Sequence, residues 1–217
     1  WKGLIPEIIV YDRQLSDAEM QRTYSYLALK YGVTLRQDYL SATGAVLFNA
    51  DGSGATHTFD NGIAGIGRDN CTGLHQKQSK SMATGEFLTI ANTDVATSNL
   101  ANPWSMTDQT FEIWGHNGGA KTYTSTYSPV TFTPVATYVR MARIWKVEET
   151  GTVGVVKISI PEQIAAENLI VSPNADLSGG TEIALVNDGA GNLTCTVNFT
   201  DGQYFSFGRN QYAPGCV

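Results

Sequence analysis

The chain has 217 residues, a formal charge of −6, only 16% charged residues and 22 glycines. An acidic balance argues against a nucleic-acid surface, which needs a basic stripe to displace counterions, and no apolar run approaches the roughly 18–20 residues of a membrane span. Few charges with abundant Gly, Thr, Ser and Asn favour short strands and tight turns over a helical bundle, so the expected fold class is mainly β: a sandwich of jelly-roll or immunoglobulin-like type with one N-terminal helix.

The chain opens at Trp1, and Leu4–Tyr11 is nearly all apolar around Glu7, which predicts a strand covered on both faces. It runs at once into a helix start, so this stretch reads as the close of one module and the opening of another in a longer polypeptide. Ser16 is placed to cap, Glu19 to close a capping box, and Leu15 with Met20 to form a hydrophobic staple. The helix should run to about Tyr31, where Gly32 stops it in the left-handed conformation. Met20, Tyr24, Leu27 and Tyr31 recur at helical spacing and predict its apolar face.

Beyond Gly32 come strand-length runs at Ala45–Phe48, Ile63–Arg68, Phe87–Ala91, Thr110–Trp114 and Arg140–Val147. The series continues at Val153–Ile160, Leu169–Val171, Ile183–Val186, Leu193–Phe199 and Tyr204–Phe207. Asn61-Gly62 and Asn117-Gly118 suit turns that need positive φ, and residues 187–192 read as a hairpin loop. Strands at roughly 8–12-residue spacing are the signature of a sandwich.

Several segments together resemble a module of large bacterial surface proteins, in which a laminin-G-like jelly roll alternates with a second β-sandwich. Pro6–Arg13 followed by Tyr26–Leu35 is similar to the strand and helix that end such a jelly roll. The following sandwich is matched at Asn61–Asp69, Gln76–Ser81, Trp114–Gly119, Arg143–Glu149 and Asp201–Phe205, and Ala213-Pro214-Gly215 is similar to the lead into the next module. The resemblance implies an exported, cell-surface or secreted protein of tandem β modules, often handled by the type IX route, and it brings no activity with it. It divides the chain into residues 1–38, the terminal strand and helix of the laminin-G-like module, and residues 39–217, the sandwich, with an immunoglobulin-like half from about 140.

Catalytic chemistry finds little support. There is no Gly-x-Ser-x-Gly elbow and no His-Glu-x-x-His motif, and His57, His75 and His116 read as polar surface or turn residues without partners. Glu148 and Glu149 are adjacent on a strand and so face opposite sides, which rules them out as a glycosidase pair. Hard oxygen ligands gather on Gly-rich turns around Asp51, Asp60 and Asp69, as a structural calcium requires, though Asp and Asn are also ordinary turn residues and the spacing is not that of an EF-hand.

Cys71, Cys195 and Cys216 permit one disulfide and one free or intermolecular thiol, or three unpaired thiols, with Cys216 best placed to reach a neighbour. Trp1, Trp104, Trp114 and Trp145 could form a carbohydrate-stacking platform, against a default of core packing. Lys77 and Lys80 read as charges that discourage edge pairing.

The sequence therefore predicts a non-enzymatic structural or adhesive repeat of an extracellular surface protein. It should assemble with copies of itself or with adjacent modules through its termini, at Leu4, Ile8, Val10 and Cys216. The alternative is a carbohydrate-binding module of a larger secreted protein, with surface glycans as partners. Neither nucleic acid nor membrane insertion is expected.

Overall fold

A computed structural model describes residues 2–3, 5–50, 58–126 and 137–211. The helix α1 spans Asp17–Tyr31 with the predicted ends: Ser16 caps it, Glu19 completes the capping box, and Gly32 closes it at φ 64°. Its buried stripe is not the predicted one. Ser25, Ala28 and Leu29 face the core, whereas Tyr24 is exposed. Small side chains at 25 and 28 let the helix lie close to the sheet, and the Ser25 hydroxyl donates to Gln21 O while accepting from Leu40 N. Tyr24, Leu27 and Tyr31 instead line an open apolar groove with Pro6, Val33 and Leu35.

The strands are β1 (Tyr39–Leu40), β2 (Val46–Phe48), β3 (Asn61–Asp69), β4 (Leu74–Gln76), β5 (Gln78–Ser79), β6 (Thr89–Asn92), β7 (Thr110–His116) and β8 (Tyr123–Thr126). They continue as β9 (Thr137–Met141), β10 (Trp145–Thr150), β11 (Val156–Pro161), β12 (Asn168–Ser172), β13 (Thr181–Ala184), β14 (Val186–Asn187), β15 (Asn192–Val197) and β16 (Tyr204–Gln211). Among the described residues these form a nine-stranded sheet, β13-β12-β16-β10-β7-β3-β4 with β9 and β8 branching from β16, a five-stranded sheet, β14-β15-β11-β6-β5, and the two-stranded β1–β2 hairpin. The described ladders are antiparallel. The fold is a β-sandwich.

The main core lies between the two sheets, where Ile66, Trp114, Trp145 and Val147 meet Ile90, Val156, Ile158 and Val197. A second core fills the other face of the large sheet, where Ala28 and Leu29 of α1 meet Tyr39, Phe48, Ile63, Phe111 and Ile113. Strand β7 is buried along its whole length because it is covered on both faces, by the small sheet on one side and by α1 with the β1–β2 hairpin on the other.

Both expected boundaries are crossed by this packing. The helix shares a core with strands beyond residue 38, so it is part of the sandwich. Strand β10 pairs with β7 on one side and β16 on the other, so the strands after 140 do not make a half of their own. The predicted run Arg140–Val147 is two strands, broken at 142–144.

The expected N-terminal strand is also corrected. Residues 5–11 belong to no strand, and the segment runs along α1 with Ile8 at 74% and Val10 at 86% exposure. Leu4 lies outside the described residues.

Candidate functional site

The motifs that stand out in the sequence come together at the middle of the large sheet. On its inner face His116, at the end of β7, is 3% exposed and sits edge-on to Trp145. Its Nδ1 accepts from the Gly118 backbone N–H at 3.0 Å, so Nε2 carries the proton and donates to Glu86 Oε1 at 3.1 Å. The same oxygen accepts from Arg143 Nη1 at 2.7 Å, and the Arg143 guanidinium also donates to Gly119 O.

Burial alone would raise the Glu86 carboxyl, but the hydrogen bonds from His116 and Arg143, with the Arg143 charge, outweigh it and leave it below the usual range. Gly62 closes the junction: a Cβ there would come 2.6 Å from His116 Nε2. With both ring nitrogens engaged by the protein, His116 is a buried structural junction and not the surface residue the sequence suggested. Glu86 was missed altogether, since Gly85-Glu86-Phe87 carries no distinguishing pattern.

On the outer face of the same strands, Tyr204, Lys146 and Gly115 form one cross-strand row. A Cβ at Gly115 would come 2.2 Å from Phe59 O, so only glycine lets the chain at 59 cross here and bring the Phe59 ring 5.2 Å from that of Tyr204. Lys146 Nζ donates to Glu148 Oε1 at 2.5 Å, and Glu148 Oε2 accepts from Asn49 N at 2.9 Å. Asn49, Phe59, Lys146, Glu148 and Tyr204, with Asp60, line a cavity of about 580 Å³.

The N-terminal segment is held by one side chain. The Glu7 carboxylate accepts from Lys30 Nζ (2.9 Å), Tyr31 Oη (2.8 Å) and Tyr26 Oη (3.1 Å). The bonds from Lys30 and then Tyr31 hold its carboxyl below the usual range. Glu7 and Tyr11, which bonds Thr23, thus contact the helix, while Ile8 and Val10 between and beside them stay exposed.

Two of the expected calcium ligands, Asp60 and Asp69, do not converge. Asp60 immediately precedes β3 and Asp69 ends it, about 30 Å apart at strand rise, too far to share an ion. Both Asp69 oxygens accept backbone N–H bonds, from Ala42 and Cys71. Asp51 lies outside the described residues, and among the described ones no group of three or more His, Cys, Asp or Glu could hold a metal.

Cys71 is an exposed free thiol and Cys195 a buried one, pushed up to about 12 by burial; Cys216 lies outside the described residues. His57 and Trp1 also lie outside them, and His75 Nε2 accepts from Met106 N. The tryptophan platform does not form, because Trp114 and Trp145 are core residues and Trp104 is half-exposed elsewhere. Lys77 and Lys80 flank β5, an edge strand of the small sheet, and Lys77 Nζ donates to Asn102 O.

A family model for a domain of unknown function, DUF8202, matches residues 19–203. The chain belongs to this family. The DUF8202 match begins inside α1 and runs to the foot of β16, taking in both sheets, the buried junction and nearly all of the outer cavity's lining. No curated protein and no solved structure matches the chain.

Proposed function

We propose that this DUF8202 domain is a structural, adhesive module of an exported bacterial surface protein, joining copies of itself or adjacent modules through its N-terminal segment. The carrying observation is the segment 5–11, pinned to α1 through Glu7 yet presenting Ile8 and Val10 outward, outside any strand. An anchored, apolar segment outside any ladder is what strand addition uses: main-chain hydrogen bonds supply affinity and alternate side chains supply fit. The buried junction supports the same reading, since both nitrogens of His116 are spent on holding loops together. The type of partner and the extracellular location follow from the resemblance of the motifs to surface-protein modules.

The test is electron imaging and light scattering of the chain beside an Ile8→Asp/Val10→Asp variant. Wild type should form end-joined assemblies at raised concentration, and the variant should remain monomeric with unchanged circular dichroism. Monomeric wild type at all concentrations, or equal assembly by the variant, contradicts the proposal.

A further inference from the structure

We infer that the outer-face cavity at Tyr204, Phe59 and Lys146 binds a neutral, polyhydroxylated ligand of sugar type, a function independent of assembly. Its size, about 580 Å³, falls in the range of small-molecule sites. The floor is rigid, because Tyr204 and Lys146 are opposed in register on neighbouring strands of the nine-stranded sheet. Sites on such elements hold their geometry better than sites on loops.

Three features select the ligand class. The Phe59 and Tyr204 rings, tilted at 54°, give apolar faces on which the C–H side of a sugar ring can lie. The Tyr204 hydroxyl has no hydrogen-bond partner among the described residues, and Lys146 Nζ spends one of its N–H groups on Glu148, so unfilled donors stand beside the rings. Glu148 supplies carboxylate oxygens as acceptors. The charges of Lys146, Glu148 and Asp60 sum to about −1, which disfavours an anionic ligand. Neutral hydroxyls match this mixture of donors, acceptors and ring faces. A carbohydrate-binding role would thus reside here and not at the buried tryptophans.

Two observations make the cavity a built feature of the sheet. Gly115 is the one residue that allows the chain at Phe59 to cross the row beside Lys146. Glu148 is fixed from two sides, by Lys146 and by the Asn49 backbone, so its carboxylate is positioned before any ligand arrives.

The experiment is amide-resolved NMR titration of the full chain with glucose, galactose, mannose, N-acetylglucosamine, cellobiose and lactose, each carried to about 50 mM, with glucuronate as the anionic contrast. At least one neutral sugar should give saturable shifts centred on Phe59, Lys146 and Tyr204, and glucuronate should bind more weakly. Tyr204→Ala should weaken binding about tenfold. Lys146→Ala and Tyr204→Phe, which preserve the packed ring, should weaken it severalfold, so a folding failure of Tyr204→Ala does not remove the test. Absence of saturable shifts with every sugar overturns the inference, as do shifts that ignore all three substitutions or tighter binding of glucuronate.

Discussion

Glu112 on β7 stands directly opposite Glu149 on β10, fully buried between the sheets, with no hydrogen-bond partner for either carboxylate oxygen among the described residues. Arg68 is on the same face of β3, but its guanidinium is turned to Asn70, Ser105 and Met106. Glu149 itself accepts from Val153 N. Burial first, and then repulsion from Glu149, pushes the Glu112 carboxyl up to about 8 from an ordinary value of 4.5.

The sign of the pH dependence follows. Between these two values the folded chain holds a proton that the unfolded chain has released, so the stability Glu112 contributes is full below about pH 4.5, falls as pH rises, and levels off above about 8. The loss should be on the order of a few kcal/mol in urea unfolding. Glu112→Gln should flatten that slope and be the more stable protein by about 2 kcal/mol at pH ~9. A wild-type curve that stays level across this range contradicts the burial of an unpaired acid here.

The Glu86 junction predicts a large loss of the opposite kind. Glu86→Ala leaves the Arg143 guanidinium and the His116 imidazole inside the protein without their shared acceptor. Removing one partner of a buried ionic group costs about 3–5 kcal/mol. Chemical denaturation of Glu86→Ala, Arg143→Met and the pair should give a coupling energy of at least ~1 kcal/mol. Strict additivity would show that these residues do not act as a unit.

Gly62 makes the same junction testable from the backbone. Its φ of +58° suits glycine, and an added Cβ would come 2.6 Å from His116 Nε2 and 3.0 Å from the Glu86 carboxyl carbon. Gly62→Ala should cost about 2 kcal/mol. Part of that cost should vanish in a His116→Ala background, where the crowding ring is gone; an equal loss in both backgrounds would place the whole effect in the backbone.

What could be read from the sequence was what local chemistry decides. The ends of α1 were legible because Ser16, Glu19 and Gly32 act within one turn of themselves, and most strand positions were legible from apolar runs between turn residues. The face of α1 was not, because Tyr24, Leu27 and Tyr31 fit helical spacing while close approach to the sheet selects Ser25 and Ala28.

Distance along the chain hid the rest. Glu86 joins residues 30 and 57 positions away, and Phe59 meets Tyr204 across the sheet, so neither cluster leaves a local pattern. Leu4–Tyr11 looked like a strand because it is apolar, but a strand needs a partner, and residues 5–11 have none among the described residues.

The hold on that segment gives the last prediction. Glu7 gathers three donors from α1, and Lys30 and Tyr31 keep its carboxyl below the ordinary glutamate range, so the latch is formed above that range and lost as pH falls through the lowered value. Arg13, the tryptic site that follows the segment, is held by Glu19 at 2.6 Å. In Glu7→Ala the segment keeps the Tyr11–Thr23 bond but loses its ionic anchor, so it should leave the helix more often. Cleavage after Arg13 should then quicken about tenfold, since proteolysis tracks the population of the open form. The capped helix behind it should resist, because the Ser16–Glu19 box does not depend on Glu7. An unchanged cleavage rate would move the anchor from Glu7 to the apolar contacts of the segment.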